Sequence, residues 1–379
     1  MEIEEWEIYK GKLSDSLLSF SEEEEGIGFD VRRAEEEIKK QSKKQEEIHD
    51  KFIKLNSIDE GQHKTCFLKS TVKLNNWLQK NFDLRHLNRL GRTRKKLIYQ
   101  TQGDSLQELL PHESIDLLLQ YRDKEKGLEF WKEFKKQAEK DKNHRLYPNY
   151  NVFGTRTGRW TAENPNIQQV PEDLKKALDY DYAIDFDQQE LRMMALISKD
   201  QALTKIFQTG IDFHSMIAKE LNCERKLAKI INYSLPYNIG KKNFFHLLKK
   251  EGKVDSLEKS NLFYEQWWNK FPTLKKVVWK TNEIGKAISA INSRIIRTEK
   301  NFKTWNYSVQ GSCSDLFTLV WRRLREVRGI KICGKIHDEF LIKSKLAKET
   351  LKKQIDKLEC HLEGINFPLQ LKEKEEKEN

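Results

Sequence analysis

Near the C-terminus an apolar stretch, Ile332 to Ile336, is cut by His337, Asp338 and Glu339 and resumes at Phe340, Leu341 and Ile342. The pattern predicts a β-hairpin with carboxylates at its tip. Apolar flanks draw such a segment into a core sheet, where desolvation makes an unpaired carboxylate costly. A bound divalent cation is the natural compensation. A second carboxylate, Asp185, ends the β-prone run Tyr182 to Phe186. If the two strands are neighbours in one sheet, Asp185 and Asp338 can share a metal pair. Such pairs clamp the attacking and leaving oxygens in phosphoryl transfer. Taken alone, His-Asp-Glu reads more readily as a solvated acidic turn.

Three further segments carry matching chemistry. The first is Thr155 to Trp160 followed by Asn164 to Pro171, rich in Gly, Pro and amides. It predicts a loop with short extended pieces that presents donors to phosphate, sugar and base edges, or simply a polar surface loop. The second is Asp185 to Arg192, where a strand gives way to a helical run from Leu191 to Ile197. Glu190 falls close enough to Asp185 to line the same pocket, or serves as a first-turn glutamate favoured by the helix dipole. The third runs from Arg225 to Tyr237, in which Arg225, Lys229, Tyr233 and Tyr237 recur every fourth residue. A helix turns about 100° per residue, so the four form one slowly winding stripe. Two cations and two rings on one stripe suit a nucleoside triphosphate, whereas without the carboxylates an amphipathic surface helix would be the better explanation.

The elements that position these residues follow from the pattern of the remaining chain. Its 379 residues are enough for two or three packed subdomains. Lysine and arginine number 70 against 59 acidic residues, a net charge of +11. That surplus favours a polyanionic partner bound in a salt-dependent way. Arg85 to Lys96 concentrates cations, as a duplex clamp or a flexible basic loop. Ala34 to Lys54 alternates in sign and predicts a solvated helix with a thin apolar stripe. Helical periodicity dominates from Phe67 to Gln137. Strands follow from Tyr147 to Ile197, then a helical block to Lys286, then strands at Ala287 to Thr298 and Ile330 to Leu371. The fold class is therefore α+β, with a sheet interrupted by a helical insertion that carries the Arg/Lys/Tyr stripe. The tail after Leu371 is expected to fray. Five scattered cysteines, Cys66, Cys223, Cys313, Cys333 and Cys360, form no CxxC pair and point to reduced thiols rather than zinc. No apolar run reaches membrane-spanning length, and the acidic start is unlike a signal or transit peptide.

Together these segments resemble the polymerase domain of family A DNA polymerases, the DNA polymerase I type. Asp185 to Arg192 is similar to that family's motif A, Arg225 to Tyr237 to motif B on its O helix, and His337-Asp338-Glu339 to motif C. Thr155 to Pro171 resembles the segment that grips primer–template. Asn306 to Ser312 resembles the helix after the fingers, in a phage-like form, and Trp267 through Pro272 resembles the stretch between them. The resemblance covers roughly Ser16 to the end, with Gly26 to Asp30 and His112 to Lys126 similar to the start of the domain and its thumb. It implies a right-hand architecture: an N-terminal helical lead-in (1–60), thumb (61–146), palm (147–197), fingers inserted in the palm (198–286) and palm again (287–379).

The resemblance also implies site roles. Asp185 and Asp338 hold two Mg²⁺ ions, for which Mn²⁺ can substitute, with Glu339 in support. Lys229 assists catalysis and, with Arg225, binds the triphosphate. Tyr233 stacks on the incoming base, Tyr237 and Glu190 crowd the sugar 2′ position, and Gln188 and His214 join the nucleotide site. Arg159, Asn306, Gln310 and His337 contact DNA. The expected partners are primer–template DNA and dNTPs, with accessory replication proteins unidentified, no membrane, and a cytoplasmic setting in a bacterial or phage-infected cell. No segment matching a proofreading exonuclease or 5′-nuclease is expected. An RNA-synthesising relative is the enzymatic alternative, disfavoured by Glu190. A non-catalytic nucleic-acid-binding relative is the other, disfavoured by the joint presence of Asp185, Asp338 and Lys229. The chain departs from the family pattern at Asp187, Ser234 and Asn238, and Pro236 should kink or end the motif B helix.

Overall fold

The computed structural model describes residues 25–58, 67–82, 89–93, 96–99, 106, 112–152 and 154–374. The chain divides into two compact units. One comprises Phe29–His144 with Pro171–Ala177, and the other comprises the residues up to Gly28, Arg145–Val170 and the chain from Leu178 onward.

Strand β1 (Ile27–Phe29) leads into the first of these units. Helix α1 (Val31–Leu55) starts at Asp30, whose side chain accepts from the Arg33 N–H at 3.0 Å, a typical N-cap arrangement. Only Ala34, Gln41 and Phe52 of its 25 residues are buried, so the helix packs by the thin stripe its sequence predicts. It lies along α3 (Glu113–Ala138), and α2 (Thr71–Asn81) closes a small core around Phe52, Leu74, Leu78, Ile115 and Leu118. Among the described residues from Phe67 to Gln137 helix predominates, as the periodicity predicts. An antiparallel hairpin, β2 (Arg89–Thr93) and β3 (Lys96–Tyr99), interrupts it. Backbone pairing there overrides a composition rich in helix-tolerant Arg, Lys and Leu. Residues 85–88, 94 and 95 and the side chains of the rest of the basic run lie outside the described residues. A short helix, α4 (Glu172–Lys175), completes this unit.

In the second unit β4 (Arg145–Leu146) and β7 (Leu178–Asp179) flank β1, while β5 (Asn149–Asn151) and β6 (Thr161–Glu163) form a hairpin. The functional sheet has four strands in the order β11–β12–β8–β15, where β8 is Tyr182–Phe186, β11 Ile330–Ile336, β12 Glu339–Ser344 and β15 Leu369–Glu373. Both neighbours of β8 run antiparallel to it, with Asp185 opposite Glu339 on one side and Gln370 on the other. The helices α5 (Gln189–Ser198), α6 (Gln201–Thr209), α7 (Phe213–Glu220), α8 (Arg225–Ser234), α9 (Lys241–Lys250), α10 (Leu257–Lys270) and α11 (Pro272–Ile284) form the insertion between β8 and the later strands. They close on Phe213, Trp267, Trp268 and Phe271. After the hairpin β9 (Ala287–Ile288) and β10 (Ile295–Ile296), α12 (Thr304–Arg325) packs on the sheet, with Phe317 stacked on Phe340 at 4.2 Å. Helix α13 (Lys348–Asp356) precedes the hairpin β13 (Cys360–Leu362) and β14 (Ile365–Phe367). The expected fraying after Leu371 is corrected for Lys372 and Glu373, while residues 375–379 lie outside the described residues. Lys372 and Glu373 continue β15 against Ala183 and Tyr182, because an unpaired central strand edge is satisfied there.

Among the described residues no helix is long and apolar enough to cross a membrane.

Candidate active site

The register of the sheet brings the two sequence-distant carboxylates together. Asp185 sits near the end of β8, and Asp338 occupies the turn that joins β11 to β12, beside Glu339 and hence beside β8. That turn needs a left-handed residue at His337 (φ +51°). Gln168 holds it from both sides, accepting from the His337 N–H at 2.5 Å and donating to the Lys335 carbonyl at 3.0 Å. Gln188 is likewise left-handed (φ +51°), turning the chain sharply from β8 into α5 so that Glu190 enters its first turn.

Electrostatics mark Asp338 as a site for positive charge. Its carboxyl is pushed above the usual carboxylate range, first by burial and then by the charge of Asp185. Lys372 answers part of this, donating to Asp185 Oδ2 at 2.5 Å from the neighbouring strand. Asp187 does not add to the pair. Its Oδ2 is held by Arg192 at 2.7 Å and its Oδ1 accepts from Gln370 at 3.1 Å. Arg192 also binds the Asp187 and Asn366 carbonyls and lies over the Phe207 ring, which fixes this neutralising contact. Among the described residues no three His, Cys, Asp or Glu side chains converge as a metal cage. A divalent ion would take two carboxylates here and complete its shell with substrate oxygens and water, which suits Mg²⁺.

A cavity of about 510 Å³ opens over these carboxylates. Its walls include Asp185, Gln188, Glu190, His214, Arg225, Lys229, Tyr233 and Asp338. Helix α8 presents Arg225, Lys229 and Tyr233 to it, while Pro236 ends the α-helix and places Tyr237 in a 3₁₀ turn. The stripe is thus helical for three of its four residues. Arg225 is held by Asp212 through bonds of 3.0 and 3.1 Å, and this guanidinium keeps the Asp212 carboxyl well below its ordinary range. Burial, followed by the charges of Glu190 and Asp338, pushes the Tyr233 phenol up to about 12. It therefore stays protonated at any working pH.

Tyr237 reaches the site through Glu190, donating its phenol O–H to Oε2, while Arg159 donates to Oε1. Arg159 and His337 line an adjoining cavity with Glu190 and Asp338. Asn306 and Gln310 stand one turn apart on α12, half-buried and outside both linings. Glu339 faces Asp185 across the sheet without lining either cavity.

The sequence reading missed four residues that shape the site. Lys372 and Asp212 are the salt partners of Asp185 and Arg225. Gln168 lay inside the amide-rich segment already singled out. Asn232 sits on the buried face of α8, where its Oδ1 accepts from Trp267 Nε1 at 2.8 Å and its Nδ2 lies 3.0 Å from His214 Nδ1. The amide orientation makes His214 Nδ1 an acceptor, so its proton lies on Nε2.

Residues 33–372 match the model of DNA polymerase family A. The chain is 26% identical over 307 residues to the thermostable DNA polymerase I of Thermus thermophilus, covering 70% of this chain and 36% of that protein. It is 27% identical over 323 residues to DNA polymerase I of Caldicellulosiruptor bescii, covering 73% and 37%. It is 30% identical over 274 residues to DNA polymerase I of Aquifex aeolicus, covering 64% and 47%. The chain thus spans less than half the length of these relatives. The solved polymerase domain of Pol1 from M. smegmatis, in complex with DNA primer-template and dNTP, superposes with a TM-score of 0.75 at 18% identity, over 93% of this chain and 67% of that one.

Proposed function

This chain belongs to DNA polymerase family A, and on that premise we propose that it extends a DNA primer along a template by adding dNTPs to its 3′ end. The observation that carries this reading is the meeting of Asp185 and Asp338 under a cavity walled by Arg225, Lys229 and His214. Carboxylates on one side and phosphate-binding donors on the other are what transfer of a nucleotidyl group needs. Asp185 and Asp338 would hold two Mg²⁺ ions. Bound there, the ions supply charge stabilisation at the transferring phosphate and a more acidic primer 3′-hydroxyl.

The protein's own groups do the rest. Arg225, Lys229 and the Nε2–H of His214 bind the triphosphate, with Lys229 placed to assist the departing pyrophosphate. Arg225 must exchange Asp212 for phosphate oxygens, so its fork is already ordered when the nucleotide arrives. Tyr233 stacks on the base. Glu190, fixed by Arg159 and Tyr237, occupies the space a 2′-hydroxyl would need, which favours DNA over RNA synthesis. Gln188 borders the nucleotide, Asn306, Gln310, Arg159 and His337 meet the primer–template, and Glu339 supports Asp185.

Primer extension with dNTPs or rNTPs tests this directly. The wild-type protein should add dNTPs in a Mg²⁺- or Mn²⁺-dependent way. Asp185→Asn and Asp338→Asn should each abolish addition while duplex binding persists. Extension by either variant would remove that residue from the metal site, and preference for rNTPs would favour the RNA-synthesising reading.

A further inference from the structure

Eleven large apolar side chains among the described residues are exposed, and five of them fall between Trp279 and Phe302. Trp279 on α11 is 54% exposed, and Phe302, in the 3₁₀ turn before α12, is 61% exposed. These two segments pack together. The Trp305 N–H donates to Asn282 Oδ1 at 2.9 Å, and the Asn301 side chain lies against Gly285. Each ring has an ammonium over it, Lys275 at 5.2 Å from Trp279 and Lys300 at 5.8 Å from Phe302. Lys280, Lys286 and Arg297 add exposed cations to the same stretch. Of the remaining exposed apolar residues, Ile288 and Ile295 are directly paired across the β9–β10 hairpin and Ile284 ends α11.

We propose that this surface binds an unpaired DNA strand, with bases stacked on Trp279 and Phe302 and phosphates on the surrounding cations. Exposed rings set in a cationic surface match the chemistry of single-strand binding. A duplex would leave the rings without partners, since its bases are already stacked. An apolar patch that served only as a protein interface would not need an ammonium over each ring. The surface is also continuous with the segment assigned to primer–template. Arg294 beside the hairpin donates to the Thr157 carbonyl at 2.9 Å, Arg156 pairs with Glu299 at 2.6 Å, and Ile296 packs against Gly311, next to Gln310. Resting on the polymerase reading, the strand is assigned as the unpaired template ahead of the primer terminus.

The test uses the full chain and a labelled oligothymidylate, read by fluorescence anisotropy at fixed salt. Trp279→Ala and Phe302→Ala should each weaken binding about tenfold, and Trp279→Phe should largely restore it. Both residues are exposed, so melting temperatures should match the wild type. The double variant should fill a one-nucleotide overhang at the normal rate but show a raised KM for templates with long overhangs. Unchanged oligothymidylate affinity in the double variant overturns the proposal, even where primer extension is normal. Conversely, ring-dependent binding by a protein that extends no primer would sustain this surface while the polymerase reading falls.

Discussion

Lys372 donates to Oδ2 of Asp185 at 2.5 Å, and the two residues stand diagonally on one face of adjacent strands, because Lys372 is registered with Ala183 and Gln370 with Asp185. The ammonium therefore sits in the field of the carboxylate cluster. Asp185, Glu339 and Asp338 all raise its proton affinity against the opposing effect of burial. It is a built-in monovalent counter-charge at the place assigned to divalent ions.

Removing it should favour metal binding. A half-exposed pair of this kind contributes up to about 1 kcal/mol, so Lys372→Met should bind Mn²⁺ up to about fivefold more tightly without nucleotide. Titration followed by Mn²⁺ electron paramagnetic resonance measures this. Equal or weaker affinity would show that Lys372 orients Asp185 rather than competing for it.

Glu190 is fixed on both carboxylate oxygens, by Arg159 and Tyr237, which makes it a rigid wall rather than a mobile side chain. Glu190→Ala should raise ribonucleotide relative to deoxyribonucleotide incorporation about 10- to 100-fold. Glu190→Gln, which keeps the bulk, should stay near the wild-type ratio. Competition between rNTP and dNTP on one primer reads both, and an unaltered ratio in the alanine variant would move sugar selection elsewhere.

Asp200 is 1% exposed and ties two helices of the insertion together. One oxygen caps α6 by accepting from Leu203 at 3.1 Å, and the other accepts from the Thr273 and Leu274 N–H groups that open α11. Asp200→Ala would uncap α6 and strand the α11 donors, costing about 2–4 kcal/mol. Urea unfolding measures it, and a loss under 1 kcal/mol would mean water replaces the carboxylate.

The chemistry of the sheet was legible because apolar flanks force a strand and the carboxylates stand out against them. Asp185, Asp338 and the α8 stripe could be seen for that reason, and so could Pro236 as the end of the helix. Their partners could not. Lys372 lies in a Lys/Glu run whose composition looks like a fraying tail, and only strand pairing makes it part of a site. Asp212 and Arg225 are 13 residues apart, and Asn232 and Trp267 are 35 apart, separations that no periodicity links. The β2–β3 hairpin was hidden similarly, since basic strands lack the apolar alternation that announces a buried face.

His214 illustrates how such a hidden partner sets chemistry. It is 4% exposed, and burial is the leading cause that pulls its pKa below the ordinary imidazole value. The charges of Arg225 and Lys229 push the same way, and those of Asp212 and Asp187 oppose them. The neutral ring accepts from Asn232 at Nδ1, which leaves Nε2–H as the donor of a residue that lines the cavity. Protonation would turn Nδ1 into a donor facing the Asn232 amide, itself a donor held in place by Trp267. Because the folded pKa lies below the unfolded value of about 6.5, the unfolded chain takes up the proton first as pH falls. The contribution of His214 to stability is therefore complete above about pH 6.5 and declines below it. Urea unfolding at pH 7.5 and pH 5.5 should show a larger loss for the wild type than for His214→Gln, which cannot titrate. Equal losses would mean that the ring protonates in place, and that the Asn232–Trp267 pair does not lock its tautomer.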